Sequence, residues 1–536
     1  MAITSDQLID AGVRRGLLDS EVVTRLRIEA RRDRVDVLDA LAAHYRFPVA
    51  SLYQALAELR GLPYVQPVFE RLPMDLIRKL PQALVQRKLV LPVEKHEDSV
   101  VVALVDPDDR TSLETVQRIL GLKLRQAMSD LNSLSTLIAR VYAAGSQALS
   151  ADADPIGLLD VILREAYLWR ASDVHLMPDN AGLRVRIRVD GRLRDYPVST
   201  GTADAAALVS RVKVLANLDI AEQREAQDGG FTYSLSAPIN REFNIRVATA
   251  PTRLGERVTM RLLGQEAHGI TLSNLGMQED DLMRFHEAIR KPFGMILLTG
   301  PTGSGKSTTL FAALQEINRP EINIMTVENP IEYTMPGVSQ VQVGTKISFA
   351  GALRSFLRHD PDVLMVGEIR DEETADVALK AAMTGHLVFS TLHTNTACGT
   401  VVRLADIGCE PYLIGSTMNA VIAQRLVRRL CPHCRVARPA DPGECELLGA
   451  DAGALLYEPK GCAHCRGTGF SGRIGLFETL WFDDELAHVV ARGCNEDELE
   501  SRAGSRLRRM WADGSFKVLS GLTTLDELRE VAVRKV

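Results

Sequence analysis

Met295-Ile-Leu-Leu-Thr299 runs into Gly300-Pro-Thr-Gly-Ser-Gly-Lys-Ser307, and the chain continues as Thr308-Thr-Leu-Phe-Ala-Ala-Leu314. A short unbroken apolar run reads as a strand buried on both faces, and the segment after Ser307 reads as a helix. The stretch between them fits the pattern of a phosphate-binding loop completely. Gly300, Gly303 and Gly305 let the backbone curl so that successive amides, those of Thr302 and Ser304 among them, face a phosphate at a helix N-terminus. Lys306 adds a point charge for the β and γ phosphates, Ser307 is placed to ligate magnesium, and Thr308 belongs to the same nucleotide-binding set.

In a doubly wound sheet, ligands lie beyond the carboxyl ends of the strands, so polar residues ending other apolar runs should converge on the phosphates. Three runs end that way. Ile322–Val327 leads into Glu328-Asn-Pro-Ile-Glu332, Val363–Val366 into Gly367-Glu368, and Leu387–Thr391 into Leu392-His393. Hydrolysis needs a carboxylate to orient water, a polar group to hold hydrated magnesium, and a sensor of the γ phosphate. Glu332 or Glu328, Glu368 and His393 are the candidates.

Outward from this core, 536 residues at 46% apolar and 25% charged describe a soluble multidomain protein and exclude disorder and fibrous folds. The net charge of −6 gives no global pull toward nucleic acid or anionic lipid. MAITSDQLIDAG carries neither a basic leader nor an apolar core, so the expected location is cytoplasmic. The longest stretch free of Asp, Glu, Lys and Arg, Ala381 to Val402, is too rich in Thr, His and Asn to cross a membrane.

Composition and periodicity divide the chain into a helical unit over 1–60, an α+β domain over 61–145 and a hinge at 146–155. A second N-terminal α+β domain follows over 156–268, then an α/β P-loop domain with a mostly parallel sheet over 272–536. Residues 61–145 should contain a hairpin from Leu89–Val93 and Val100–Val105. In 156–268, Leu183 to Val189 alternate with arginines and turn at Asp190-Gly191; Phe243 to Val247 and Val258 to Leu262 repeat the alternation. Arginine lies opposite the core each time, which alone suits a solvated sheet face as well as a binding surface.

Cys431-Pro-His-Cys434 and Cys462-Ala-His-Cys465 are two C-x2-C knuckles, a spacing that predicts a closed tetrahedral Zn2+ site in a small insertion over 431–478. With four sulfurs filling the shell, no position remains for catalysis.

Taken together, the boxes resemble the secretion ATPase superfamily, specifically the type II secretion ATPase E family and its relative, the type IV pilus assembly ATPase B. Thr326-Val-Glu-Asn-Pro-Ile-Glu332 resembles that family's Asp box, Asp362 to Asp371 its Walker B segment, and Thr384-Gly-His-Leu-Val-Phe-Ser-Thr-Leu-His-Thr394 its His box. The resemblance implies a RecA-like ATPase fold preceded by α+β domains, the second of them PAS-like. It assigns Glu332 as catalytic glutamate, Glu368 as the Walker B glutamate, and His386 and His393 as the box histidines. It further implies that Arg246 and Arg261 reach the nucleotide from the N-terminal domain, joined by Arg354, Arg358 and Arg473. One departure is Asn329, where the family carries Asp.

The same resemblance implies ATP and Mg2+ as ligands and a homo-hexamer. It also implies docking onto cytoplasmic parts of an inner-membrane platform, with peripheral membrane association through those partners. Pseudopilus-driven type II secretion is the leading reading and type IV pilus extension the alternative. A retraction motor is disfavoured by the long N-terminal extension and the four-cysteine insertion. A nucleic-acid motor is the distant alternative, opposed by the acidic total and by an aromatic content of 5%.

Overall fold

The computed structural model describes residues 3–33, 35–45, 47–67, 72–96, 98–143, 155–180, 182–196, 202–235, 241–263 and 270–534. The hinge expected at 146–155 lies, up to residue 154, outside the described residues. Two compact units emerge, 1–263 with 460–469, and 264–459 with 470–536. Among the described residues, no helix is long and apolar enough to cross a membrane.

The first unit opens with four helices, Ser5–Arg14, Ser20–Asp33, Val37–Tyr45 and Ala50–Leu59. Thr4 starts the first with a capping box, its hydroxyl accepting from Gln7 N while Gln7 Oε1 accepts from Thr4 N. In the second, Val23, Leu26 and Ala30 are buried at helical spacing. Strands β1 (Val90–Lys95) and β2 (Ser99–Leu104) form the expected hairpin. A third strand, β3 (Lys123–Met128), joins β2 in parallel after the crossover helix Arg110–Leu120.

The rest of this unit is a six-stranded antiparallel sheet. Its strands are β4 (Asp173–Asp179), β5 (Gly182–Val189), β6 (Arg192–Tyr196), β7 (Gln227–Leu235), β8 (Arg241–Thr252) and β9 (Gly255–Leu262), in the order β6-β5-β4-β9-β8-β7. Asp190 and Gly191 both have positive φ, and Val189 pairs with Arg192, so the turn is the two-residue hairpin connection that Asp-Gly predicts. Val185, Ile187, Ile245, Val247, Val258 and Met260 are buried in one core with the helices Pro155–Leu168 and Thr202–Leu215. β7 is a strand the sequence does not announce, because Gly229-Gly230 weakens its pattern.

In the second unit, strands β10 (Gly294–Thr299), β11 (Ile324–Glu328), β12 (Ser339–Gln342), β13 (Val363–Val366), β14 (Leu387–Leu392) and β15 (Met418–Leu430) run parallel. Beyond the separate hairpin β16 (Arg435–Pro439) and β17 (Leu455–Pro459), β18 (Phe470–Trp481) and β19 (Leu507–Arg508) add antiparallel strands. The eight-stranded order is β12-β11-β13-β14-β10-β15-β18-β19.

Helices cover both faces. Leu297, Val327, Leu364, Val388 and Val421 enter one core, and Ile296, Leu298, Ile324, Phe389 and Ile422 the other. Two covered faces explain why these strands read as unbroken apolar runs rather than alternating ones. β10, β11, β13 and β14 all end at the same edge of the sheet, which fixes where their following residues meet.

Candidate active site

At that edge the loop 300–305 joins β10 to the helix Lys306–Ile317. Gly300, Gly303 and Gly305 all have positive φ. A Cβ on Gly300 would stand 2.5 Å from the Gln424 carbonyl and 2.7 Å from Ser304 Oγ, so only glycine fits there. Lys306 is buried, and its Nζ donates to the carbonyls of Gly300 (2.6 Å) and Pro301 (3.2 Å). Burial holds its pKa below the usual lysine range; Glu368 pulls it back up, Arg425 pushes it down further, and Glu332 raises it. Among the described residues, Ser304 Oγ is buried without a hydrogen-bond partner. A buried ammonium bonded only to backbone carbonyls, beside an orphaned hydroxyl, fits a phosphate group entering the loop.

The strand-end acids divide in character. Glu368 follows β13 with its side chain 13% exposed, and its Oε2 lies 2.7 Å from Arg370 Nε and 3.5 Å from His393 Nε2. Glu328 is held in place, accepting from Thr326 Oγ1 at 2.7 Å and Gln340 Nε2 at 3.0 Å. Burial raises its pKa despite those bonds, and nearby Glu332 adds to the rise. Glu332 itself is exposed, as is Asn329. Ser307, at the start of the helix, is exposed too, so Ser307 and Glu368 offer the hydroxyl and carboxylate that a hydrated Mg2+ needs.

The other candidates have surroundings of their own. His386 stands before the start of β14, its Nδ1 2.9 Å from the Ala381 carbonyl and its own carbonyl accepting from Gly294 N, where β10 begins. The length of β14, about 20 Å, separates it from the edge carrying His393. Arg354 Nη1 donates to Glu373 at 2.7 Å, and Arg358 Nη1 to the Arg354 carbonyl at 3.1 Å. Arg473 pairs in register with Arg428 on β15.

Arg246 and Arg261 belong to the first unit and oppose each other directly across β8 and β9. Arg261 in turn opposes Asp173 on β4, which opposes Arg188 on β5, so the four side chains form one row on one face. Asp173 Oδ1 accepts from Arg261 Nε at 2.9 Å, and its Oδ2 lies 3.5 Å from Arg188 Nε.

Gln424 and Arg425 are the site residues that sequence reading missed. Gln424 is buried and its Oε1 accepts from Thr309 Oγ1 at 2.8 Å, tying β15 to the helix behind the loop. The available signal was a polar pair interrupting the apolar run of β15.

Cys431, Cys434, Cys462 and Cys465 place their sulfurs within 4.8 Å of one another. The Cys462 and Cys465 sulfurs are 3.7 Å apart, beyond the ~2 Å of a disulfide. Cys465 Sγ accepts from the amides of Cys462 (3.2 Å) and Gly469 (3.1 Å), bonds that fix the position of the sulfur. Such a donor set is compatible with a metal ion.

Residues 149–530 match the family described as type II/IV secretion system protein, and residues 60–148 match the MshEN domain. Type II secretion system protein E of Pseudomonas aeruginosa is 48% identical over 384 residues, covering 71% of this chain and 76% of that protein. The type IV pilus assembly ATPase PilB of Myxococcus xanthus is 36% identical over 565 residues, 98% of each chain. Among solved structures, the Legionella pneumophila ATPase DotB superposes with a TM-score of 0.52 at 22% identity, covering 72% of this chain and 98% of that one, a likeness of fold alone.

Proposed function

The chain belongs to the type II/IV secretion system protein family, and from that premise we propose that it is the ATP hydrolase that powers type II protein secretion through pseudopilus assembly. The observation that carries this reading is the meeting of the glycine loop, the buried Lys306 and the Glu368–His393 pair at one sheet edge. Lys306 and the loop amides hold the triphosphate, and Glu332 orients the attacking water. Glu368 and Ser307 would hold magnesium, which would supply charge neutralisation at the triphosphate. His393, beside Glu368, senses the γ phosphate.

Arg246 and Arg261 neutralise transition-state charge only when the first unit closes on a nucleotide, which couples hydrolysis to movement. Arg354, Arg358 and Arg473 are proposed to join them on assembly into a cytoplasmic hexamer. His386, at the far edge of the sheet, acts outside the phosphate pocket. The four cysteines bind zinc as a closed structural site. Residues 1–145 dock the ring on cytoplasmic parts of an inner-membrane platform, and membrane association runs through those partners.

The test is Glu332→Gln. Nucleotide binding should survive while phosphate release stops; wild-type turnover would remove Glu332 from its role. The end-to-end alignment with a PilB keeps pilus extension as the second reading. Whether a secretion or a pilus platform co-purifies with the full chain separates the two.

A further inference from the structure

Arg425 stands half-buried against the first residue of the phosphate loop. A Cβ on Gly300 would lie 3.0 Å from its Nη1. That nitrogen donates to the Gln424 carbonyl at 3.0 Å, and Nη2 donates to Asn395 Oδ1 at 3.1 Å. Both partners are neutral. Among the described residues no carboxylate oxygen lies within 4 Å of it. The anion it senses is Glu478, which is half-buried and already accepts from Ala397 N (2.7 Å) and Met510 N (3.5 Å).

Successive strand residues point to opposite faces, so Gln424 and Arg425 meet the loop from the two sides of the sheet end. Gln424 faces the helix, since its Nε2 would be 2.7 Å from a Cβ on Gly305. Arg425 faces Asn395, two residues past His393. Its charge also reaches Lys306, lowering that lysine's pKa. Two partly desolvated cations sharing one pocket cost free energy until an anion arrives between them.

We propose that Arg425 is a phosphate-binding residue of this chain's own nucleotide site, a second cation beside Lys306 that Asn395 and the Gln424 carbonyl hold in place. The assignment rests on the ATP-hydrolase reading and deepens it. A planar fork that already has one donor pair on neutral oxygens can exchange them for phosphate oxygens without unburying a salt bridge.

The experiment is binding of ATP, ADP and AMP to the full chain as wild type, Arg425→Gln and Arg425→Lys, with KM and kcat measured beside it. Arg425→Gln should weaken ATP and ADP about 10- to 100-fold, raise KM, and leave AMP affinity within about twofold. Arg425→Lys should recover part of the ATP affinity. Unchanged ATP affinity in a folded Arg425→Gln chain would overturn the assignment. So would an equal loss for ATP and AMP, or a lysine variant no better than glutamine, since these report a propped loop rather than a phosphate contact. A wild-type chain that binds no ATP would instead sink the hydrolase reading itself.

Discussion

Replacing Lys306 by Met should separate binding from stability. The ammonium is buried, bonded to two carbonyls at 2.6 and 3.2 Å, and held below its usual pKa chiefly by burial. Its removal deletes a desolvated charge along with those bonds, so the ligand-free chain should melt within a few degrees of wild type. The nucleotide-bound state is different. ATP at a hundred times its Kd adds about 2.7 kcal/mol to the folded state, which for a unit of this size raises Tm by roughly 5–11 °C. A charge-assisted bond to phosphate is worth about 1.5–3 kcal/mol, so its loss weakens ATP by about 10- to 150-fold. At the same ATP concentration a hundredfold weaker site leaves about 0.4 kcal/mol, a shift below about 2 °C. Thermal melts with and without ATP–magnesium, in both chains, measure the difference. An equal nucleotide-dependent shift in Lys306→Met would refute the placement of the phosphates on this loop.

Arg246→Ala and Arg261→Ala should each cut turnover by about 10³-fold or more while sparing ATP affinity, and turnover per wild-type chain should rise with assembly. Equal specific activity in isolated monomers and rings contradicts that. Elemental analysis should find one zinc per chain, and Cys462→Ser should lose it and open 431–478 to proteolysis, since a structural zinc shell contributes on the order of 10 kcal/mol; a metal-free wild type that resists proteolysis equally would refute the site. Glu328 has a folded pKa raised by burial above its ordinary 4.5, so its ionised form is a penalty, absent below that value and complete above the folded pKa. Glu328→Gln should therefore melt higher than wild type at pH 8, with the gap closing as the pH falls toward 4.5. A gap that widens in acid would reverse the assignment.

Much of this site was legible because strands covered on both faces write themselves as unbroken apolar runs, and each run hands its last residue to the same edge. Glu368 and His393, 25 residues apart in sequence, meet at 3.5 Å for that reason. His386 fails the same rule, since it precedes its strand rather than following it. Membership of a sequence box placed it with His393, but a strand carries two neighbours of one motif to opposite edges. Arg425 was invisible for the converse reason. In a 13-residue strand nothing marks which residue passes the end of β10, and the register Thr299↔Ala423 is a tertiary fact.

The sheet of the first unit shows how far charge alone carries the functional argument. Arg246, Arg261 and Arg188 lie in one row with the single carboxylate of Asp173, which pairs with Arg261 and Arg188. Arg246, opposite Arg261, makes no ion pair among the described residues, and like charges facing each other across a ladder are unfavourable. A solvated face would relieve that cost with an alternating acid, as Asp195 does for Arg184 at 2.6 Å on the same sheet. The phosphate loop carries the matching deficit in Lys306 and Arg425. Arg246 is thus the uncompensated cation of the first unit's row, Arg261 being held by Asp173, and a triphosphate is the anion proposed for the pair in the second. On the proposed reading, hydrolysis and release of phosphate remove the anion that draws these cations, which turns a chemical step into a loss of attraction and hence into motion.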